Sequence, residues 1–341
     1  MPATIDAFRF PVLFADIGGT NARFALLAEA DAAPVFLDTL QTRDHDTLES
    51  ALETAILPQA LEAPRTLMFA VAGPIHPEAT RLTNCHWVVE PKALIARFDL
   101  DRVALFNDFE ALALALPALG PEDLMMIGEG RPSAAANKIV IGPGTGLGAA
   151  GLVRAGGSWI PVAGEGGHID LAPMSARDEA IWPHVERLDG SFSGRVSGET
   201  LVCGAGLVRL YEAIARADGV PAAFDTPARI TAAAESGEAR AAEAIELFGE
   251  YLGRTVGNLA LVFLAHGGAY LAGGIAPRIA PVLRSGRFRA AFEDKVPHGA
   301  ILRGMATGVV IHPRPALAGL VGYARAPGDF LVDLSGRLWG G

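Results

Sequence analysis

Two glycine-rich turns, each flanked by apolar runs, carry residues that can bind phosphate. Residues 16–21 read Asp-Ile-Gly-Gly-Thr-Asn, and residues 142–148 read Gly-Pro-Gly-Thr-Gly-Leu-Gly. Glycine lets backbone N–H groups approach a phosphate closely, and the threonine hydroxyl of each turn adds a neutral donor. Asp16 could hold a water molecule of a Mg²⁺ ion that bridges phosphate oxygens. Either turn alone could be an ordinary hairpin turn, but the pair favours a nucleotide bound by two domains.

Three acidic residues outside these turns could act on a polar substrate. Asp108 follows an apolar run and precedes a helical pattern, so we expect it at the C-terminal edge of a sheet, with Asn107 beside it. It could equally cap that helix. Glu165 and His168 are three residues apart in a loop that contains two glycines. Glu199 precedes a helical run, where it could simply interact with the helix dipole.

The sequence also matches a dinucleotide-binding pattern in part. Residues 146–151 satisfy G-x-G-x-x-G, but that motif must open a helix whose N-terminus receives the pyrophosphate. The residues that follow are typical of a hairpin, so we discount this interpretation. The chain has no G-x-x-x-x-G-K-[ST] motif and neither H-R-D nor D-F-G, which excludes P-loop and protein-kinase mechanisms.

The overall composition excludes further classes. There are 28 Lys plus Arg against 38 Asp plus Glu and no long basic run, so a nucleic-acid partner is not expected. Cys85 and Cys203 are far apart, which fits a reducing compartment and excludes a cysteine-based zinc cluster. Asp6 and Arg9 precede a short apolar run, and glycine pairs interrupt the uncharged residues 255–277. We therefore expect a cytoplasmic protein with no membrane segment.

The elements that must position these residues alternate between strands and helices, which indicates an α/β fold. The predicted strands are 10–15, 23–28, 66–71, 103–106, 138–141, 149–154 and 269–272. The predicted helices are one capped at Asp46, then 91–98, 109–116, 206–216, 239–251 and 254–265, with another opening at 273–277. Residues 120–136, rich in Gly, Pro and Ala, are the predicted domain boundary. A strand, glycine turn and strand occur on both sides of it, which indicates a weak internal duplication.

Six motifs occur in the order found in bacterial ATP-dependent glucokinases, and the chain closely resembles that family from about residue 12 to about residue 323. The motifs are Asp16-Ile-Gly-Gly-Thr-Asn-Ala-Arg23, Thr83-Asn84-x-x-Trp87, Phe106-Asn-Asp-Phe109, Gly142-Pro-Gly-Thr-Gly-Leu-Gly148, Gly164-Glu-Gly-Gly-His168 and Leu271-Ala-Gly-Gly-Ile-Ala-Pro-Arg278. Residues 1–10, 181–195 and the tail after 326 depart from the family pattern.

The resemblance implies an actin-like (ribonuclease H-like) sugar kinase fold with two α/β domains, mixed sheets and an interdomain cleft. The expected domains are 1–118 plus 316–341, with a C-terminal helix at 316–324, and 119–315. The resemblance also implies a homodimer that phosphorylates glucose at the 6-hydroxyl with ATP and Mg²⁺, giving glucose 6-phosphate and ADP.

The resemblance further implies roles for particular residues. Five would bind sugar hydroxyls, with Asp108 as the general base: Asn107, Asp108, Glu165, His168 and Glu199. Ten would bind the nucleotide, with Asp16 reaching Mg²⁺ through water: Asp16, Gly18, Gly19, Thr20, Asn21, Gly144, Thr145, Gly146, Gly273 and Gly274. Asp108→Ala is then expected to leave a folded protein whose turnover is reduced by at least about 10²-fold.

Other functions stay open at this point. The protein could phosphorylate another hexose, or it could be a non-catalytic sugar-sensing protein of the same fold. A sensor would normally carry a DNA-binding helix-turn-helix before the first strand. Because that strand is predicted near residue 10, we expect no room for such a domain, which disfavours the sensor. An NAD-dependent oxidoreductase is a third alternative, which nicotinamide binding would support.

Overall fold

The computed structural model describes residues 8–340, so Asp6 lies outside the described residues. Contacts divide the chain into two units. The first contains the residues up to Leu119, Leu152–Ala163 and the residues from His312 onward, and the second contains Gly120–Gly151 and Gly164–Ile311. None of the helices between residues 8 and 340 combines the length and the apolar character that a membrane span requires.

Strands and helices alternate along the described chain, which confirms the predicted α/β class. The strands are β1 (Val12–Ile17), β2 (Asn21–Leu27), β3 (Val35–Phe36), β4 (Leu40–Gln41), β5 (Thr66–Val71), β6 (Thr80–Arg81), β7 (Val88–Val89), β8 (Arg102–Asn107), β9 (Leu124–Ile127), β10 (Lys138–Pro143), β11 (Leu147–Ala155), β12 (Ser158–Gly164), β13 (Ala269–Leu271), β14 (Thr307–Val310) and β15 (Leu338–Gly340). The α-helices are α1 (Leu48–Ala51), α2 (Pro91–Phe98), α3 (Asp108–Ala115), α4 (Ala176–Ile181), α5 (Gly198–Leu201), α6 (Gly204–Ala217), α7 (Pro227–Glu235), α8 (Ala239–Phe263), α9 (Ala280–Arg284), α10 (Arg287–Glu293), α11 (Gly299–Gly304) and α12 (Pro315–Arg325).

A mixed sheet lies at the centre of the first unit. Its strand order is β15-β8-β5-β1-β2-β3, and β4 also pairs with β2. β5 is parallel to both β1 and β8, whereas β2, β3 and β15 are antiparallel to their neighbours. All six residues of β5 are buried because helices cover both faces of the sheet. α1 and α2 contribute to the core on one face, and α3 and α12 pack together on the other.

The second mixed sheet has the strand order β12-β11-β10-β13-β14-β9. β13 is parallel to both β10 and β14, and β9 is antiparallel to β14. The two residues between β11 and β12 are Gly156 and Gly157, with φ of 58° and 86°, a left-handed turn that glycine favours in hairpins. Residues 146–151 therefore enter a strand rather than a helix, which confirms that the dinucleotide pattern is accidental.

One long helix replaces two predicted ones. The predictions of separate helices at 239–251 and 254–265 are wrong, because α8 continues without a break from Ala239 to Phe263. A glycine inside a helix costs only about 1 kcal/mol relative to alanine, which burial of an apolar face can outweigh. Gly253 has a packing role here, since a Cβ at this position would lie 2.3 Å from the Phe288 carbonyl oxygen of α10.

Two predicted helix starts are also wrong. The residue that caps α1 is Thr47, not Asp46, since the Thr47 hydroxyl accepts a hydrogen bond from the Ser50 N–H at 3.1 Å. After β13 the chain makes a turn through the glycine pair, and α9 begins only at Ala280. Gly273 adopts a φ of 85°, which a helix cannot continue through.

Several short strands, β9 and β15 among them, lie where the sequence predicted none. β9 lies within residues 120–136, and β15 lies in the tail after residue 328. Each pairs antiparallel with the last parallel strand of a sheet, β14 and β8 respectively. Strands of three or four residues are too short for their apolar alternation to be distinguished from a loop.

Candidate active site

The turn between β1 and β2 is fixed by its own ends and by a neighbouring loop. The Gly18 N–H donates to the Asn21 carbonyl oxygen at 3.0 Å. Thr42 contacts the turn from outside, since its hydroxyl donates to the Gly19 carbonyl at 3.0 Å and its N–H donates to the Thr20 carbonyl at 2.9 Å. The Thr20 side chain is exposed. The turn is thus held in shape with a hydroxyl donor at its surface.

Asp16 lies opposite Arg23 in the β1–β2 pair. Its Oδ2 is 3.3 Å from the Arg23 Nη1, and the Asp16 side chain is 19% exposed. Burial raises the pKa of Asp16 above the usual aspartate value, and the nearby Arg23 offsets this only in part. An additional cation would favour the ionised carboxylate, so the site suits a Mg²⁺ ion held through water.

Asn84 packs against the same turn, a contact that sequence reasoning missed although the Thr-Asn-x-x-Trp motif was noticed. A Cβ on Gly19 would lie 2.9 Å from the Asn84 carbonyl oxygen and 3.0 Å from its Cβ. Asn84 itself has a φ of 59°, in the left-handed region that asparagine tolerates better than most residues. On the other side, the Gln41 side-chain amide donates to Asn21 Oδ1 at 2.5 Å.

Asn107 and Asp108 lie at the junction of β8 and α3. The residue that caps α3 is Asn107 rather than Asp108, because Asn107 Oδ1 accepts from the N–H groups of Phe109 at 3.0 Å and Glu110 at 3.3 Å. Asp108 is the first residue of the helix, and its Oδ1 also accepts from the Phe109 N–H at 3.0 Å. Both side chains are half-buried.

The first unit brings the glycine turn and Asp108 to one edge of its sheet. In the parallel register, Ile17 of β1 pairs with Val71 of β5, and Val71 pairs with Asn107 of β8. Two strand spacings separate the ends of β1 and β8, or about 10 Å. The carboxyl edge of parallel strands is where α/β proteins bind ligands, so a phosphate-binding turn and an acid are both present at such an edge.

In the second unit, the turn between β10 and β11 is tied to the start of α6. The Gly144 N–H donates to the Gly146 carbonyl at 2.8 Å, and the Gly204 N–H donates to the Gly144 carbonyl at 2.9 Å. The side chain of Thr145, between the two glycines, is exposed. The β10–β11 turn therefore has the same features as the β1–β2 turn.

The glycine pair after β13 lies beside this turn. The Ala272 N–H donates to the Ile141 carbonyl at 2.9 Å. A Cβ on Gly273 would lie 3.1 Å from the Pro143 carbonyl oxygen, whereas one on Gly274 would have nothing within 4 Å. Both glycines are exposed. The structure thus joins the predicted nucleotide-binding glycines of the second unit at one edge.

Glu165, His168 and Glu199 come together next to the β10–β11 turn. The Leu147 N–H donates to Glu199 Oε2 at 2.8 Å. The His168 Nε2 is 3.7 Å from Glu199 Oε1 and 4.0 Å from Glu165 Oε2, and the exposed fractions of the Glu199, His168 and Glu165 side chains are 23%, 42% and 90%. Glu199 therefore does more than face the dipole of its own helix, since it accepts a bond from the turn and lies close to the imidazole.

The loop that carries Glu165 and His168 is pressed against β11. A Cβ on Gly167 would lie 1.9 Å from the Leu147 carbonyl oxygen, so this position has room only for glycine. Arg195 holds the loop from the other side, donating to the His168 carbonyl at 2.5 Å and to Asp170 Oδ1 at 2.6 Å. Sequence reasoning missed Arg195, which lies in the segment that departs from the family pattern.

No group of three or more His, Cys, Asp or Glu side chains within residues 8–340 could bind a metal ion directly. Mg²⁺ in phosphoryl-transfer sites is usually bound by one or two carboxylates together with substrate phosphates and water. The carboxylate of Asp16 at the first glycine turn could serve such an ion in this way.

Comparison with known proteins places this chain among sugar kinases. A glucokinase family model matches residues 13–327. The glucokinase of Agrobacterium fabrum is 50% identical over 342 residues, covering 99% of each chain. A glucokinase from an Antarctic psychrotroph, solved as a crystal structure, superposes with a TM-score of 0.82 at 33% identity, covering 92% of this chain and 98% of that one.

The fold extends to more distant structures. A ROK family glucokinase from Streptomyces griseus, crystallised with glucose and AMPPNP, has a TM-score of 0.59 at 22% identity and covers 92% of this chain and 98% of that one. The two-domain, actin-like sugar kinase fold with mixed sheets is therefore confirmed. Because the family model matches residues 13–327 and the Agrobacterium fabrum glucokinase is 50% identical over nearly the full length, the chain belongs to the glucokinase family.

Proposed function

We propose that this protein transfers the γ-phosphoryl group of MgATP to the 6-hydroxyl of glucose, releasing glucose 6-phosphate and ADP. The observation that carries the proposal is the common sheet edge of the first unit, where the β1–β2 glycine turn lies about 10 Å from the junction that bears Asp108. The glucokinase family match supports glucose as the substrate, and the structure from Streptomyces griseus was solved with both glucose and an ATP analogue.

Asp108 is the proposed general base. Its carboxylate would accept the proton of the 6-hydroxyl while the sugar oxygen forms a bond to the γ-phosphorus and the bond from that phosphorus to ADP breaks. A positioned base contributes about 10²–10⁴-fold to such a step. Asn107 Oδ1 is already bonded to two helix N–H groups, so its amide nitrogen would be the group that donates to a sugar hydroxyl.

Glu165, His168 and Glu199 would bind further sugar hydroxyls. The His168 imidazole lies within 4.0 Å of each of the two carboxylates, and the three groups offer acceptors and a donor for adjacent hydroxyls of a pyranose. A site that pairs each hydroxyl rejects analogues that leave a buried group unpaired. We therefore expect glucose to be preferred over its epimers.

The two glycine turns would bind the nucleotide phosphates. Backbone N–H groups of Gly19, Asn21 and Gly146 and the hydroxyls of Thr20 and Thr145 would donate to phosphate oxygens. Gly18 and Gly144 would shape the two turns, since their N–H groups donate to the Asn21 and Gly146 carbonyls, and Gly273 and Gly274 would lie near the adenosine. Mg²⁺, when bound, neutralises charge on the phosphates and favours attack at phosphorus. Asp16 would hold that ion through a water molecule.

The decisive measurement is ADP release by purified protein with a panel of hexoses, with and without Mg²⁺. We expect glucose and Mg²⁺ together to give the highest kcat/KM. Asp108→Ala should lower kcat at least about 10²-fold with little loss of fold, because Asn107 caps α3. Asp101→Ala is the matched control, since Asp101 lies just before β8 and pairs with the Arg65 side chain.

Specific outcomes would reject this proposal. Faster turnover of another hexose would assign a different sugar, and sugar binding without ADP release would indicate a sensor. Near-normal turnover of Asp108→Ala would remove Asp108 from the mechanism.

We also propose a homodimer, as the family resemblance implies. Sedimentation equilibrium would test this directly.

A further inference from the structure

The C-terminal segment holds the first turn of α3 through a buried ion pair. Arg337 donates from Nη1 and Nη2 to the two carboxylate oxygens of Glu110, at 2.5 and 3.0 Å. The Glu110 side chain is 2% exposed and the Arg337 side chain 19%. Two parallel bonds between a guanidinium and a carboxylate fix orientation as well as distance. This segment lies in the tail that departs from the family pattern.

Arg337 also contacts the strand that leads into α3. Its carbonyl oxygen accepts from the Leu105 N–H at 3.0 Å, and its guanidinium lies 5.7 Å from the centre of the Phe106 ring. The next residues form β15, in which Leu338 pairs with Ala104 of β8. One residue therefore binds both the end of β8 and the beginning of α3.

Those two elements meet at Asn107 and Asp108. The Glu110 N–H donates to Asn107 Oδ1 at 3.3 Å, so the residue held by Arg337 is itself bonded to the cap of the helix. Asp108 lies between these two anchored residues. A shift of Glu110 would therefore be transmitted to both Asn107 and Asp108 through one turn of helix.

We infer that Arg337 is a positioning residue for Asp108, and that the C-terminal segment sets the geometry of the proposed general base. This inference rests on the proposed function of Asp108. A buried carboxylate is strongly disfavoured without its partner, so removal of Arg337 should make Glu110 move towards water and displace the start of α3. A displacement of 1 Å at a reacting group can cost about 10²-fold in rate.

The test compares Arg337→Ala, Arg337→Lys and Glu110→Gln with the unchanged protein. We expect kcat to fall about 10-fold or more in Arg337→Ala, while KM for MgATP changes little because the glycine turns are not touched. Arg337→Lys should restore part of the loss, since lysine keeps the charge but cannot form the two-pronged bond. Glu110→Gln should lower kcat in the same direction.

A stability-matched control separates positioning from general destabilisation. Leu94→Ala removes a fully buried side chain of α2 in the same unit and should lower Tm without lowering kcat at temperatures where it stays folded. If Leu94→Ala lowers kcat as much as Arg337→Ala at equal loss of Tm, or if folded Arg337→Ala keeps kcat within about two-fold of the original, the inference is wrong.

Amide hydrogen exchange gives a readout that does not depend on activity. Exchange at the N–H groups of Phe109 and Glu110 should accelerate in Arg337→Ala and stay unchanged in Leu94→Ala; unchanged exchange in Arg337→Ala would overturn the inference. Failure of the proposed function is distinguishable, because the unchanged protein would then release no ADP with any hexose, or Asp108→Ala would retain full activity.

Discussion

Asn107 and Asp108 divide two tasks that one acidic residue at this junction could have performed. Asn107 satisfies the N–H groups at the start of α3, so the fold requires no carboxylate at position 108 for that purpose. Asp108 Oδ1 shares the Phe109 N–H with this cap, and its carboxylate is the group that we propose as the general base. At Gly19, by contrast, close packing against Asn84 leaves no room for a side chain.

Gly19→Ala is expected to weaken nucleotide binding. The added Cβ would lie 2.9 Å from the Asn84 carbonyl oxygen, a backbone atom that cannot rotate away, so the turn must shift. We expect KM for MgATP to rise about 10-fold, because small displacements of binding groups have effects of this order, with a smaller change in KM for glucose. Steady-state kinetics with each substrate varied separately would measure this.

Gly304→Ala is the matched control, because a Cβ there meets nothing within 4 Å. An unchanged KM for MgATP in Gly19→Ala would show that the contact with Asn84 does not set the shape of the turn.

At the scale of elements, pattern alone located strands that are continuous apolar runs and helices with one apolar face. Residues 66–71 and 91–98 were predicted as a strand and a helix, and β5 and α2 have these same bounds. The errors lie where a distant partner decides the outcome. The beginning of α10 packs so closely on α8 that only glycine fits at position 253, and β9 and β15 exist because strands far along the chain offer them hydrogen bonds.

The same limit applies to the candidate site. Glycine turns and acids could be recognised from residue type and order, whereas Asn84, Arg195 and Arg337 could not. Each of these three acts through contacts with residues at least 25 positions away. No local pattern in the sequence carries such a contact.

Two glycines of α12 provide a matched pair of predictions for this element. A Cβ on Gly319 would lie 2.0 Å from the Ala111 carbonyl oxygen of α3, whereas a Cβ on Gly322 would have nothing within 4 Å. Gly322→Ala should raise the free energy of unfolding by up to about 1 kcal/mol through helix propensity. Gly319→Ala should lower it by about 1–3 kcal/mol, as overpacking does.

Urea denaturation of both variants would measure the difference. Equal effects of the two substitutions would mean that α3 and α12 can separate at no cost, contrary to the close packing of these helices.

At the scale of the whole molecule, the two sheets follow one plan. Each begins with three strands in sequence, β1-β2-β3 and β10-β11-β12, and continues with two strands parallel to the first, β5-β8 and β13-β14. Each ends in a short antiparallel edge strand, β15 or β9. The duplication inferred from two glycine turns therefore extends to the order and direction of the strands, and β15 completes the first sheet as β9 completes the second.

Two aspartates, the fully buried Asp178 and the partly buried Asp16, should make opposite contributions to the stability of the molecule as pH changes. Burial opposes ionisation of Asp178, but bonds from the Met174 N–H and the Tyr251 hydroxyl and the charge of Arg254 outweigh it and lower its pKa below 3.8. Burial raises the pKa of Asp16 above 3.8 despite Arg23. Asp178 thus stabilises the folded state above about pH 4 and loses this contribution in acid, whereas the ionised Asp16 is a cost that acid removes.

Asp178→Asn should therefore lower the free energy of unfolding at pH 7 by about 3 kcal/mol, because Arg254 loses a buried partner, and the difference from the original protein should shrink as the pH falls below 3.8. Asp16→Asn should be at least as stable as the original protein at pH 7 without Mg²⁺. This gain in stability should shrink in acid, because protonation of Asp16 removes the cost of its ionised form from the original protein. Thermal unfolding between pH 3 and pH 7 would measure both, with Asp225→Asn as a control because its ion pair with Arg229 is largely exposed. Loss of stability at pH 7 in Asp16→Asn would mean that the bond to Arg23 outweighs the burial of the carboxylate, and that this acid is not held in readiness for a cation.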